Sequence, residues 1–129
     1  MAKIRLLIID DHPIICESLE FLLNQDPGLL VLGSAVDVLK GLAMVRKWRP
    51  DLVVLDISMP GYNGMEAISF YRDAHPQIKI VIFSARCEEK YVHQSLRAGA
   101  NGYVLKGAAP TEPGGSWLSP QFNQRIIAS

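Results

Sequence analysis

Short continuous apolar runs alternate along this chain with longer stretches in which apolar residues recur every three or four positions. The runs are Lys3 to Asp11, Leu29 to Ser34, Asp51 to Asp56, Lys79 to Ser84 and Gly102 to Leu105. The Leu52 run is too short for an ordinary helix and too continuous for a strand with one wet face, so it predicts a strand buried on both sides. Between the runs, Ile15, Leu19, Leu22 and Leu23 share one helical face, as do Val38, Leu42 and Val45 in a helix over 38–47. Further helices are predicted from about 63 to 72 and from 88 to 97, the last with Val92 and Leu96 as its buried positions and Gly99 as a C-terminal cap. The breaks fall at Asp26-Pro27-Gly28, Trp48-Arg49-Pro50 and His75-Pro76. Strict alternation of this kind specifies an α/β domain with a parallel sheet, right-handed crossovers and helices on both faces.

Two of the runs end on acids. Asp10 and Asp11 follow the first strand and Asp56 follows the third, ahead of Met59-Pro60-Gly61, which forces a loop. Open α/β sheets place ligands beyond the carboxyl ends of their strands, so all three carboxylates are expected at one rim. Taken singly, Asp56 reads as a cap for the next turn. Three acids together read differently, because clustered carboxylates repel unless a hard dication neutralises them. Magnesium, or manganese, fits: it takes oxygen ligands, and one carboxylate can then serve as both ligand and nucleophile. Attack by Asp56 on a phosphoryl donor would give an aspartyl phosphate. Ser84 and Lys106, at the ends of the fourth and fifth strands, add a small hydroxyl and a point charge for phosphoryl oxygens.

Composition narrows the partners. At 129 residues the length suits one domain, and thirteen basic residues balance thirteen acidic ones. A phosphate-backbone binder carries a basic excess, so direct contact with nucleic acid is not expected. Cys16 and Cys87 lack CxxC spacing and read as reduced thiols, with no metal-thiolate site. Neither a leader nor a membrane span is encoded in these residues, and a cytoplasmic location is the expectation.

Asp10-Asp11 after the first strand, Asp56 followed by Met59-Pro60 and Gly64, Ser84-Ala85, and Tyr103 three residues before Lys106 together resemble the receiver domains of two-component response regulators. Asp-Asp-His-Pro and Gly-Tyr-Val-Leu-Lys look most like regulators with a LuxR/NarL-type helix-turn-helix output. The resemblance covers about residues 3 to 109 and implies a flavodoxin-like, doubly wound five-stranded sheet of order 2-1-3-4-5. It further implies a phosphorylation switch rather than an enzyme in the usual sense. Asp56 would accept phosphate from a sensor histidine kinase. Asp11 and Asp56 would ligate magnesium directly, Asp10 through water, and the backbone carbonyl of Ser58 would be a further ligand. Ser84 would be the switch hydroxyl and Tyr103 the aromatic that follows it.

The chain departs from that pattern after its receiver portion, taken as 1–109. Ala109-Pro110-Thr111-Glu112 starts like the family's last helix, but Pro113-Gly114-Gly115 stops it and the helix body looks deleted. Losing four or five buried apolar side chains would forfeit roughly 6–15 kcal/mol, so the face needs another cover. In the atypical segment 110–129, Ser119-Pro120 starts a candidate helix over 119–128 with Phe122, Ile126 and Ile127 on one side. That helix, or a homodimer through the same face, is the expected cover.

Other chemistries fit less well. An aspartate-nucleophile phosphatase of the haloacid-dehalogenase kind usually carries a second Asp two residues after the nucleophile, and position 58 is Ser. A flavin or nucleotide binder would need a Gly- or hydroxyl-rich loop where Asp-Asp-His-Pro stands. A scaffold that has kept the fold and lost the switch remains open.

Overall fold

A computed structural model describes residues 3–57, 64–84 and 88–105. In chain order these form β1 (Ile4–Ile9), α1 (Pro13–Asn24), β2 (Leu29–Ala35), α2 (Val38–Trp48), β3 (Leu52–Leu55), α3 (Gly64–Ala74), β4 (Lys79–Ser84), α4 (Glu89–Ala98) and β5 (Gly102–Leu105). The strands make one parallel sheet in the order β2-β1-β3-β4-β5. This is the doubly wound α/β fold the alternation requires. The segment 106–129 lies outside the described residues, and with it Lys106, the Pro113-Gly114-Gly115 break and the helix expected over 119–128. Ser58 to Asn63 and Ala85 to Cys87 lie outside them too.

Because side chains alternate across a strand, β1 and β3 each feed two cores. Leu7, Ile9, Val53 and Leu55 point to one face, where Val38, Leu42 and Val45 of α2 and Ala67, Ile68 and Tyr71 of α3 cover them. Leu6, Ile8, Leu52 and Val54 point to the other, against Cys16, Leu19 and Leu23 of α1. A strand sandwiched this way has no room for a polar side chain until it ends. That is why the first acids appear at the rim.

Local chemistry sets the helix ends. Pro13 takes the first position of α1, where its missing N–H costs nothing. Asp37 caps α2, its carboxylate accepting from the Lys40 amide at 2.7 Å. At the other end of α2, the Arg5 guanidinium reaches across from β1 to the carbonyls of Trp48 (2.8 Å) and Arg49 (3.2 Å). Pro50 follows and bars further helix.

Two glycines are required by geometry. A Cβ on Gly41 would stand 2.6 Å from both Ile9 Cδ1 and Tyr71 Oη, so this glycine lets α2 lie close to the sheet and to α3. Gly99 closes α4 at φ 115, a left-handed cap as the sequence predicts. Arg72 of α3 then fastens that end of the fold, donating to the carbonyls of Ile78 and Gly99 and to Asn101 Oδ1. Asn101 Oδ1 in turn accepts from the Ile80 amide at 2.9 Å.

The packing of α4 differs from expectation. Leu96 is 46% exposed and Val92 only half-buried, whereas Ser95 is fully buried and its hydroxyl lies 3.7 Å from Met65 Sδ. A small residue faces α3 because the two helices approach closely there, and Leu96 is rotated away as a result. The helices otherwise end within two residues of their expected bounds: α3 runs to Ala74, and the His75 amide still bonds to Tyr71. Among the described residues, no helix is long and apolar enough to cross a membrane.

Candidate functional site

The site is built where the two central strands end. Ile9 pairs with Leu55, and the Asp56 amide donates to the Ile9 carbonyl at 2.9 Å. On the other side of β1, the Asp10 amide donates to the Ala35 carbonyl at 3.1 Å. Both acids are therefore held by backbone that continues the ladders, one step past the apolar core. Their side chains are buried, 2% exposed each.

Asp11 and His12 complete the group. One ligand atom from each of Asp10, Asp11, His12 and Asp56 falls within 4.8 Å of the others. The His12 amide donates to Asp10 Oδ1 at 3.0 Å, and the imidazole Nδ1 lies 2.9 Å from that oxygen. The same Nδ1 is 3.0 Å from Asp11 Oδ1. Below them, Cys16 Sγ donates to the Asp10 carbonyl at 3.3 Å, and burial together with the nearby Asp10 charge pushes the thiol pKa up. Cys16 is thus a neutral part of the floor.

The sequence-predicted residues distribute as follows. Asp10, Asp11 and Asp56 share the pocket. Ser84 is fully buried at the end of β4, on the same edge of the sheet, and pairs in register with Leu105. Tyr103 is half-buried on β5, opposite Ile82, and packs against the core that α2 and α3 cover. Ser58 and Lys106 lie outside the described residues. The sequence offers His12 only as part of the Asp-Asp-His-Pro motif, and its place among the acids is new. The available signal was its position directly after two acids, at a strand-to-helix corner that turns the side chain back on them.

The donor set suits a dication. Two carboxylates are buried, and Asp11 Oδ1, shielded from solvent, accepts no hydrogen bond among the described residues. A buried carboxylate oxygen without a donor is costly, and a hard cation would satisfy it.

Comparison with known proteins agrees with the geometry. The response regulator receiver domain family matches residues 6–112. The chain is 31% identical over 134 residues to the transcriptional regulatory protein DegU of Brevibacillus brevis, covering 97% of this chain and 57% of that protein. It is 36% identical over 107 residues to the nitrate/nitrite response regulator protein NarL of Escherichia coli K12, covering 83% of this chain and 50% of that one. It thus spans between half and three-fifths of these curated relatives. The crystal structure of a LuxR-family two-component response regulator from Aurantimonas sp. SI85-9A1 superposes with a TM-score of 0.80 at 31% identity, over 98% of this chain and 97% of that one. With its sheet order, its acids at the ends of β1 and β3 and this match over most of its length, the chain belongs to the response regulator receiver domains, on the LuxR/NarL side of that family.

Proposed function

We propose that this receiver domain is a phosphorylation switch in which Asp56 takes a phosphoryl group from a phosphohistidine on a sensor kinase. The observation that carries the reading is the placement of Asp56: a buried carboxylate at the end of a central strand, grouped with Asp10 and Asp11. In the transfer, an Asp56 carboxylate oxygen forms a bond to phosphorus as the P–N bond breaks, and the imidazole of the donor leaves with the electron pair. The work left to the protein is positioning and charge.

Asp10, Asp11 and Asp56 would hold the magnesium or manganese ion, with the backbone carbonyl of Ser58 as a further ligand. The ion supplies positive charge to the phosphoryl oxygens when bound. The chain's own contribution is to hold the acids at the rim by the amide bonds of Asp10 and Asp56, so that little reorganisation is needed. Ser84, at the same edge, suits a hydroxyl that turns toward a phosphoryl oxygen, with Lys106 as a second charge and Tyr103 as the aromatic that follows Ser84. Helix α1 begins three residues after Asp10 and presents Ile14, 76% exposed, near the mouth, which suits a protein donor.

The output, transcriptional in DegU, is carried elsewhere than in the described fold. The tail helix over 119–128 or a homodimer remains our reading of what covers the α1 side of the sheet. Intact-mass measurement after incubation with magnesium and phosphoramidate tests the switch. A base-labile phosphoryl adduct is expected on the wild type and not on Asp56→Asn. An adduct on both, or on neither, would reject Asp56 as the acceptor, and the second result would leave a scaffold.

A further inference from the structure

The imidazole of His12 does not cap the helix it begins. His12 stands at the N-cap of α1, where a side chain ordinarily accepts a backbone amide, yet it makes no such bond. Its Nδ1 is instead turned onto the acids, 2.9 Å from Asp10 Oδ1 and 3.0 Å from Asp11 Oδ1.

Those distances have a geometric meaning. Adjacent ligands of an octahedral ion at about 2.1 Å are separated by about 3.0 Å, since the two bonds meet at a right angle. Nδ1 thus already stands from each of the two oxygens at the spacing of neighbouring ligands on one small dication. A hydrogen bond explains the arrangement less completely. One ring nitrogen offers a single hydrogen or a single lone pair, so it can satisfy one of the two oxygens, and Asp11 Oδ1 in fact accepts none among the described residues. A cation between the three atoms would serve all of them. The ring itself is mostly open to solvent, 60% exposed, which leaves an entry path.

We infer that His12 is a nitrogen ligand of this pocket and makes it prefer a borderline first-row dication such as Mn2+ over Mg2+. The inference rests on the cation pocket proposed above. An all-oxygen set favours magnesium, which dehydrates reluctantly and has little use for imidazole, whereas imidazole suits the transition metals. Exchanging one oxygen or water position for Nδ1 therefore shifts selectivity without adding charge.

The test uses the full chain, the metals alone, and two variants. His12→Asn keeps a favoured N-cap residue and offers an amide oxygen, and His12→Ala offers nothing. Titration calorimetry should show Mn2+ binding weakened about tenfold or more in both variants, with Mg2+ binding changed by less than about threefold. Electron spin echo spectroscopy of bound Mn2+ should show coupling to a directly ligated 14N in the wild type and its loss in both variants. No 14N coupling in the wild type, or Mn2+ and Mg2+ affinities falling in parallel, would overturn the ligand role and leave the carboxylate pocket standing. If the wild type bound neither ion, the pocket itself would fall and His12 with it. Unchanged urea midpoints confirm that each variant is folded when measured.

Discussion

The Asp56 amide donates to the Ile9 carbonyl at 2.9 Å, and the carboxylate of Asp10, the residue after Ile9, is buried to the same extent as that of Asp56. A backbone bond that belongs to the ladder between β1 and β3 thus forces two acids into one buried corner. A cation in the corner, as proposed above, would relieve that crowding.

Neutralising one acid should relieve it. In metal-free buffer, Asp56→Asn is expected to raise stability by roughly 1 kcal/mol, because one of three grouped negative charges is removed. Magnesium at about a hundred times its dissociation constant should then stabilise the wild type by about 2.7 kcal/mol and the variant much less. Urea denaturation with and without the ion checks both signs. A variant less stable than the wild type without metal would contradict the crowding.

Gly41 is the contact on which α2, α3 and β1 converge. Gly41→Ala puts a methyl group 2.6 Å from Ile9 Cδ1 and Tyr71 Oη, and both neighbours are fully buried. Overpacking of about 1–3 kcal/mol should exceed the gain of up to about 1 kcal/mol in helix propensity, so the net change is destabilising. A thermal midpoint at or above that of the wild type would show that α2 moves aside freely.

Tyr71 gives the fold an alkaline limit. Its hydroxyl donates to the Val38 carbonyl at 3.0 Å, and burial, with the Asp37 charge behind it, raises its pKa well above the ordinary 10.0. The folded state therefore keeps the phenol proton that the unfolded chain loses. The stabilisation is fully present below pH 10.0 and is lost as pH rises toward the folded value. Tyr71→Phe should cost about 0.5–1.5 kcal/mol at neutral pH through the lost hydrogen bond to the Val38 carbonyl. It should also flatten the fall in stability above pH 10.0, which denaturation series at several pH values would read.

The packing of α4 makes a paired prediction. Leu96→Ser should change stability by no more than about 0.5 kcal/mol, since the side chain is largely in water. Ser95→Leu should cost about 1–3 kcal/mol, because the larger group must fit between α4 and Met65. The reverse order of effects would restore the apolar periodicity as the guide to this helix.

That last contrast marks where reading the chain by itself stops. The strands and the acids at their ends follow from local pattern, whereas the order of the strands is implied only by the family resemblance. An apolar run buried on both faces can end only in a polar residue at a rim, so Asp10 and Asp56 were legible as neighbours before any coordinates. The orientation of α4 was not, because a weakly apolar helix is turned by what fits against it, and Ser95 fits against Met65 more closely than Leu96 could. Nor was the role of His12. Its identity and its place after two acids are written in the chain, but only the tertiary corner between β1 and α1 decides that Nδ1 turns onto the carboxylates while the rest of the ring stays open to solvent. Periodicity determines which side of an element is buried on average. The direction of a single side chain at a corner depends on distances between elements that no one-dimensional pattern contains.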